Sequence, residues 1–176
     1  MHVATTLWGL AHMGQTLPED TAWLREKVAH LGRAYAYGTQ ALADDESIKQ
    51  QIVDINKKVF TRSDGDINAT YDLGKKWSLD YFETLYQKLG TKFDHYIFES
   101  EVGDDGVRIV KENIGTVFEE SDGAIVYKGE QDGLHTRVFV NSQGLPTYEA
   151  KELGNTYKKE ALVPGALCSV VVTAHE

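Results

Sequence analysis

The stretch from Thr136 to Thr173 constrains the fold of this chain most tightly, because an apolar run, a turn, a helical segment and a second apolar run follow one another in it. Thr136-Arg-Val-Phe-Val140 alternates and is rich in β-branched and aromatic residues, Asn141-Ser-Gln-Gly-Leu-Pro146 is turn chemistry, and Thr147 is of the type that caps a helix. A helix is predicted from Tyr148 to about Ala161, ahead of Pro164-Gly165. Leu167-Cys-Ser-Val-Val-Val-Thr173 then reads as a strand buried on both faces, the mark of a parallel sheet. The unit is therefore βαβ. In open α/β sheets the ligand lies beyond the carboxyl ends of the strands and faces the first turns of the following helices. Tyr148 and Glu152 stand there, on one face of the helix.

Length and composition set the bounds. A chain of 176 residues, 41% hydrophobic and 26% charged, can bury one good core, and one domain is expected over 1–176. Asp and Glu number 27 against 18 Lys and Arg, a net charge of −9, which argues against a free-standing DNA or RNA binder because such binding depends on neutralising phosphates. The single cysteine, Cys168, sits inside the apolar run and reads as a small buried hydrophobe rather than a nucleophile; a reducing, cytoplasmic setting fits it. The N-terminal apolar run is bracketed by His2 and His12 and has no basic flank, so it reads as neither a signal peptide nor a membrane span.

Taken in order, His2 to about Gly14 is predicted as a helix without a visible cap. Leu17-Pro-Glu-Asp20 is a helix-start signal for a stripe of Leu24, Val28, Leu31 and Tyr35. Asp44-Asp-Glu46 opens a helix with Ile48, Ile52, Ile55 and Val59 on one face, and Ser63-Asp-Gly-Asp66 stops it. A further helical stretch runs from about Ile67 to Leu89, with a restart at Trp77-Ser78, where Ser78 would cap and Trp77 and Phe82 would staple. Beyond Gly90 the period changes. Phe93 to Phe98 reads as a strand, Asp105 to Asn113 as a short helix stopped at Gly115, and Ser121-Asp-Gly123 as the turn of a hairpin. The architecture predicted is α/β: a helical N-terminal half (1–90), then (91–176) part of a Rossmann-like, mostly parallel sheet with an inserted antiparallel hairpin.

Several segments carry a family resemblance. Asp132-Gly-Leu-His-Thr-Arg-Val-Phe-Val-Asn-Ser-Gln-Gly-Leu-Pro-Thr-Tyr-Glu-Ala-Lys-Glu-Leu-Gly154 resembles a strand–turn–helix segment in the catalytic domain of arginyl-tRNA synthetases, which are class I synthetases. Trp77 to Phe82, Leu89 to Ser100 and Gly115 to Tyr127 extend the likeness over nearly the whole chain. The resemblance implies a ligase that activates arginine with ATP, using Mg in the full enzyme, and transfers it to tRNA. It also implies that Tyr148 and Glu152 contact the substrate arginine, the carboxylate pairing with the guanidinium. Such a pairing is bidentate, a geometry that lysine cannot match. The family's "HIGH" and "KMSKS" motifs occur nowhere in this sequence. The expectation is an internal piece of the catalytic domain that is inactive alone, keeps part of the arginine pocket and binds no cofactor by itself.

Other candidates have plainer explanations beside the functional one. Asn141 and Gln143 lie at the end of a strand where a ligand could meet amide donors, but turn formation alone accounts for them. His2 would sit near the family's active-site turn, or else is a frayed terminal side chain. Glu152 could equally pair with a neighbouring lysine, and Tyr148 pack under the loop; Glu149 and Lys151 point to other faces and read as solvated. The six histidines are scattered without ligand spacing, so no metal site is expected. A different class of function, a non-catalytic α/β small-molecule-binding or interaction module, stays open. A nucleotide-binding oxidoreductase is disfavoured by the missing G-x-G-x-x-G.

Overall fold

The computed structural model describes residues 1–172. The chain divides into two compact units, Met1–Lys92 and the part from Phe93 onward.

The first unit is all-helical: α1 (His2–His12), α2 (Leu24–Asp44), α3 (Ile48–Thr61) and α4 (Gly65–Leu89). Its core gathers Ala4 and Trp8 of α1 with Ile52 of α3, and Ala41, Leu42, Ile48 and Ile55 pack around them. The Trp8 indole donates to Gln51 Oε1 at 2.9 Å, so the one polar atom of a buried ring is satisfied. Small residues let α1 and α2 approach closely. A Cβ added at Gly9 would lie 2.0 Å from the Ala34 carbonyl oxygen, and one at Gly38 would lie 2.5 Å from that of Thr5.

Three local readings in this unit are corrected. The helix expected to open at Leu17-Pro18 begins at Leu24, and Glu19–Ala22 forms a turn closed by Ala22 N donating to Glu19 O at 2.9 Å. Proline followed by acidic residues suits a turn as well as a first helical turn, and the apolar stripe starts only at Leu24. The restart at Trp77-Ser78 does not exist: α4 is continuous, and the Ser78 hydroxyl donates back to Gly74 O at 2.8 Å in mid-helix. No staple forms, since Trp77 is buried and Phe82 is exposed. Asp64, expected only to help end the preceding helix, caps α4 by accepting from Ile67 N at 3.2 Å.

The second unit packs a small sheet against two helices. Its elements are α5 (Glu99–Glu112), β1 (Glu119–Ser121), β2 (Ala124–Tyr127), a 3-10 turn (Gly129–Asp132), β3 (Arg137–Val140) and α6 (Tyr148–Leu162). Asp122 and Gly123 both have positive φ, 50° and 76°, which is the primed turn whose twist matches a two-residue hairpin. The register sets Glu119 opposite Val126 and Val126 opposite Val138, with an irregularity between Ile125 and Val126. Val110, Phe118, Ile125, Val140 and Ala150 form the core.

The α/β expectation is corrected in its sheet. Among the described residues the strands run in the order β1-β2-β3, all antiparallel, and parallel pairing is limited to an isolated bridge between Ile114 and Phe118. Phe93 to Phe98 forms no strand, and Phe93 and Tyr96 are exposed. Leu167 to Val172 forms none either: Leu167 is 103% exposed and Val172 90%, and Cys168 is exposed rather than buried. Thr173, the last residue of that expected strand, lies outside the described residues, as do the final three. β-branched, apolar content makes a segment ready to pair, but ladder hydrogen bonds come only from a neighbouring strand, and among the described residues none pairs with either segment. Thr147 takes the N-cap position of α6, as expected, but its hydroxyl makes no cap bond; it donates instead to the carbonyls of Val138 (2.7 Å) and Phe139 (3.0 Å), tying the start of α6 to β3.

Candidate functional site

The site is built where α5 and α6 cross. A Cβ added at Gly106 would lie 2.0 Å from the Ala150 carbonyl oxygen, and one at Gly154 would lie 2.1 Å from that of Val102, so only glycine permits this approach. The close crossing brings the start of α5 to the second turn of α6. Between them lies a cleft of about 90 Å3 lined by Ile97, Glu99, Val102, Tyr148, Lys151, Glu152 and Asn155. That is well under the roughly 300–1,000 Å3 of sites for whole small molecules, so the cleft suits the end of a side chain rather than a nucleotide.

Tyr148 and Glu152 therefore share one cleft. Tyr148 is 59% exposed, its hydroxyl has no hydrogen-bond partner among the described residues, and it does not pack under the loop. The Glu152 carboxylate is half-buried and likewise meets no cation or donor among the described residues. Lys151, expected to be solvated, instead lines the cleft with its side chain 16% exposed, and its ammonium donates to Glu99 Oε2 at 2.6 Å. Glu99 and Lys151 are separated by 52 positions, so no local spacing could have paired them. Glu149 faces away and meets Arg137 at 3.8 Å.

Chemically the cleft offers one uncommitted carboxylate, one phenol hydroxyl and one neutralised carboxylate. It is equipped to hold a cation with planar donors. It holds no nucleophile–base pair of the kind covalent catalysis needs.

The remaining candidates fall elsewhere. Asn141 is consumed by its turn, its Oδ1 accepting from Gln143 N at 2.9 Å and Leu145 N at 3.0 Å, and Gln143 is exposed; neither lines the cleft. His2 lies in the first unit with Nδ1 2.8 Å from the Tyr35 hydroxyl. Among the described residues no group of three or more His, Cys, Asp or Glu could hold a metal ion, and no helix is long and apolar enough to cross a membrane.

The fold has a counterpart among aminoacyl-tRNA synthetases: the crystal structure of arginyl-tRNA synthetase from Plasmodium falciparum matches 90% of this chain with a TM-score of 0.60 at 16% identity, over 26% of its own length. More narrowly, the sequence is similar to part of arginine–tRNA ligases. The ligase of Amoebophilus asiaticus is 28% identical over 123 residues, 66% of this chain and 21% of that protein. That of Borrelia garinii subsp. bavariensis is 22% identical over 165 residues, 88% of this chain and 28% of that protein. The chain thus spans about a quarter of the length of the relatives it matches. No family model matches it.

Proposed function

We propose that the cleft between α5 and α6 is the guanidinium end of an arginine-binding pocket, and that the chain is a piece of an arginine–tRNA ligase. The observation that carries this reading is the unpaired carboxylate of Glu152 standing with the Tyr148 hydroxyl in a cleft fit for a cationic head group. Glu152 would take the guanidinium through paired N–H donors, and the Tyr148 hydroxyl would accept or donate beside it. Glu99 would serve as a second carboxylate, held in place meanwhile by Lys151. In the complete ligase, binding arginine this way would orient its carboxylate toward ATP, so the contribution of these residues is positioning rather than chemistry. The phosphates of ATP and its Mg ion would be handled by parts of such a ligase that carry "HIGH" and "KMSKS", and neither motif is in this sequence.

A further feature supports this reading over a self-sufficient binding module. The apolar run Leu167, Val170, Val171 and Val172 is exposed, which is what a strand awaiting its neighbours presents. Paired with the rest of a longer chain, it and Phe93–Phe98 would supply strands of a parallel sheet.

The test is calorimetric titration of arginine into the protein and into Glu152→Gln. Loss of a charged partner should weaken binding by about 1.5–3 kcal/mol, and lysine should bind far more weakly than arginine throughout. Equal affinity for arginine in both proteins would reject the assignment. The isolated chain should not exchange pyrophosphate into ATP in the presence of arginine.

A further inference from the structure

Asn155 lines the cleft between α5 and α6, and the arginine reading above gives its side chain no part. We propose that Asn155 is a specificity-determining residue: its amide oxygen takes guanidinium N–H donors that Glu152 leaves over, so that the cleft accepts an unmethylated guanidinium and rejects its N-methylated forms. The inference rests on the cleft being a guanidinium site and adds to it the residue that reads the far edge of the head group.

The first argument is how the chain's asparagines are used. Of the five, Asn68 and Asn113 donate to the backbone carbonyl four residues back, Asp64 O at 2.7 Å and Ile109 O at 2.8 Å, and the Asn141 side chain closes its own turn. Local bonds of this kind are what asparagine makes in or near a helix. Asn155 makes none: it is half-buried in the middle of α6, and its amide has no hydrogen-bond partner among the described residues. Asparagine is a poor residue for a helix interior, so helix formation gives no account of it there.

The second argument is placement. Tyr148, Glu152 and Asn155 stand at i, i+4 and i+7, one stripe of α6, and all three line the cleft. Along the axis the Cα of Tyr148 lies about 6 Å to one side of that of Glu152, and the Cα of Asn155 about 4.5 Å to the other. A guanidinium carries five N–H donors in one plane; a bidentate carboxylate takes two, and three remain. Inside a cleft those three need acceptors, because a buried donor without one is costly. Acceptors on both sides of Glu152 suit a flat head group with donors on both edges, whereas an ammonium gathers its three donors at one point.

The third is charge and room. Lys151 neutralises Glu99 at 2.6 Å, so Glu152 leaves the cleft one net negative charge, enough to match one guanidinium. A neutral acceptor at Asn155 serves the remaining donors without adding a second uncompensated charge, which would be expensive to desolvate. The cleft holds about 90 Å3. A methyl on a terminal guanidinium nitrogen would take the place of a donor aimed at Asn155 and crowd that side chain.

The test is calorimetric titration of the whole chain with L-arginine and with Nω-methyl-L-arginine, in the parent protein and in Asn155→Ala, Asn155→Leu and Glu152→Gln. Asn155→Ala should bind arginine about fivefold more weakly, the loss of one neutral hydrogen bond, and lose nothing for the methylated ligand, so the preference for arginine falls by the same factor. Asn155→Leu removes the acceptor but keeps the side chain's bulk; it should weaken arginine as much and still exclude the methylated ligand. Both replacements favour the helix more than asparagine does, so an unchanged circular dichroism spectrum is expected. Two results would overturn the proposal and leave the cleft reading intact, with Glu152→Gln still losing arginine. One is unchanged arginine affinity in both Asn155 variants, and the other is an equal loss for the two ligands in Asn155→Ala. Arginine affinity indifferent to Glu152→Gln would overturn both readings together.

Discussion

Replacing Gly154 by alanine should separate the two helices that build the cleft. The added Cβ would sit 2.1 Å from the Val102 carbonyl oxygen and 2.9 Å from Gly106 N, whereas ordinary contact begins at 3.4 Å, so α5 and α6 must part by more than 1 Å. The clash is with backbone, which no side-chain rotation can relieve, and the cost falls toward the upper end of overpacking, about 3 kcal/mol. Alanine's better helix propensity offsets about 1 kcal/mol of that, leaving a net loss of roughly 2 kcal/mol and a fall in Tm on the order of 10 °C. All three tryptophans, Trp8, Trp23 and Trp77, lie in the first unit, so tryptophan emission follows that unit while circular dichroism follows both. Gly154→Ala should therefore shift the dichroism transition and leave the tryptophan transition in place. Gly9→Ala, whose Cβ would meet Ala34 O at 2.0 Å, should shift the tryptophan transition instead. Gly32→Ala, with nothing within 4 Å of its Cβ, should stabilise α2 by about 1 kcal/mol. A Gly154→Ala protein as stable as its parent would refute the argument that this crossing needs glycine.

Further outcomes follow from other sites. The proton affinity of His30 is lowered by burial first and by Arg33 second, so the folded chain binds fewer protons there than the unfolded one; stability should decline as pH falls below about 6.5, and urea midpoints at pH 7.5 and 5.5 should differ less in His30→Gln. Asp64 and Asp72 are held below the usual carboxylate range, Asp64 chiefly by the Ile67 N–H and Asp72 by Arg62, so their contribution is present above about pH 4 and lost as pH falls further, a second decline that His30→Gln should keep. Asn141→Ala removes the acceptor of two turn N–H groups and should cost about 1–2 kcal/mol in denaturant melts without altering arginine affinity, contrary to a ligand-contact role. Tyr148→Phe should weaken arginine by about 0.5–1.5 kcal/mol, and calorimetry showing no loss would remove the hydroxyl from the pocket.

What the sequence determined by itself is local. The apolar stripe of Leu24, Val28 and Leu31, the Asp122-Gly123 turn and the helix after Thr147 are each specified by period or by backbone chemistry within a few residues, and the structure has all three. The same locality put Tyr148 and Glu152 on one helical face, since residues four apart always share one. What tertiary structure alone decided is who stands opposite. Glu99 reaches Lys151 across 52 positions only because Gly106 and Gly154 let two helices touch, and no periodicity encodes that meeting. Thr147 looked like a cap, yet its hydroxyl is taken by β3. Leu167–Val172 has every residue a buried strand requires and remains exposed, because a strand's hydrogen bonds belong half to its neighbour: composition sets the readiness to pair, and only the assembled fold supplies the partner.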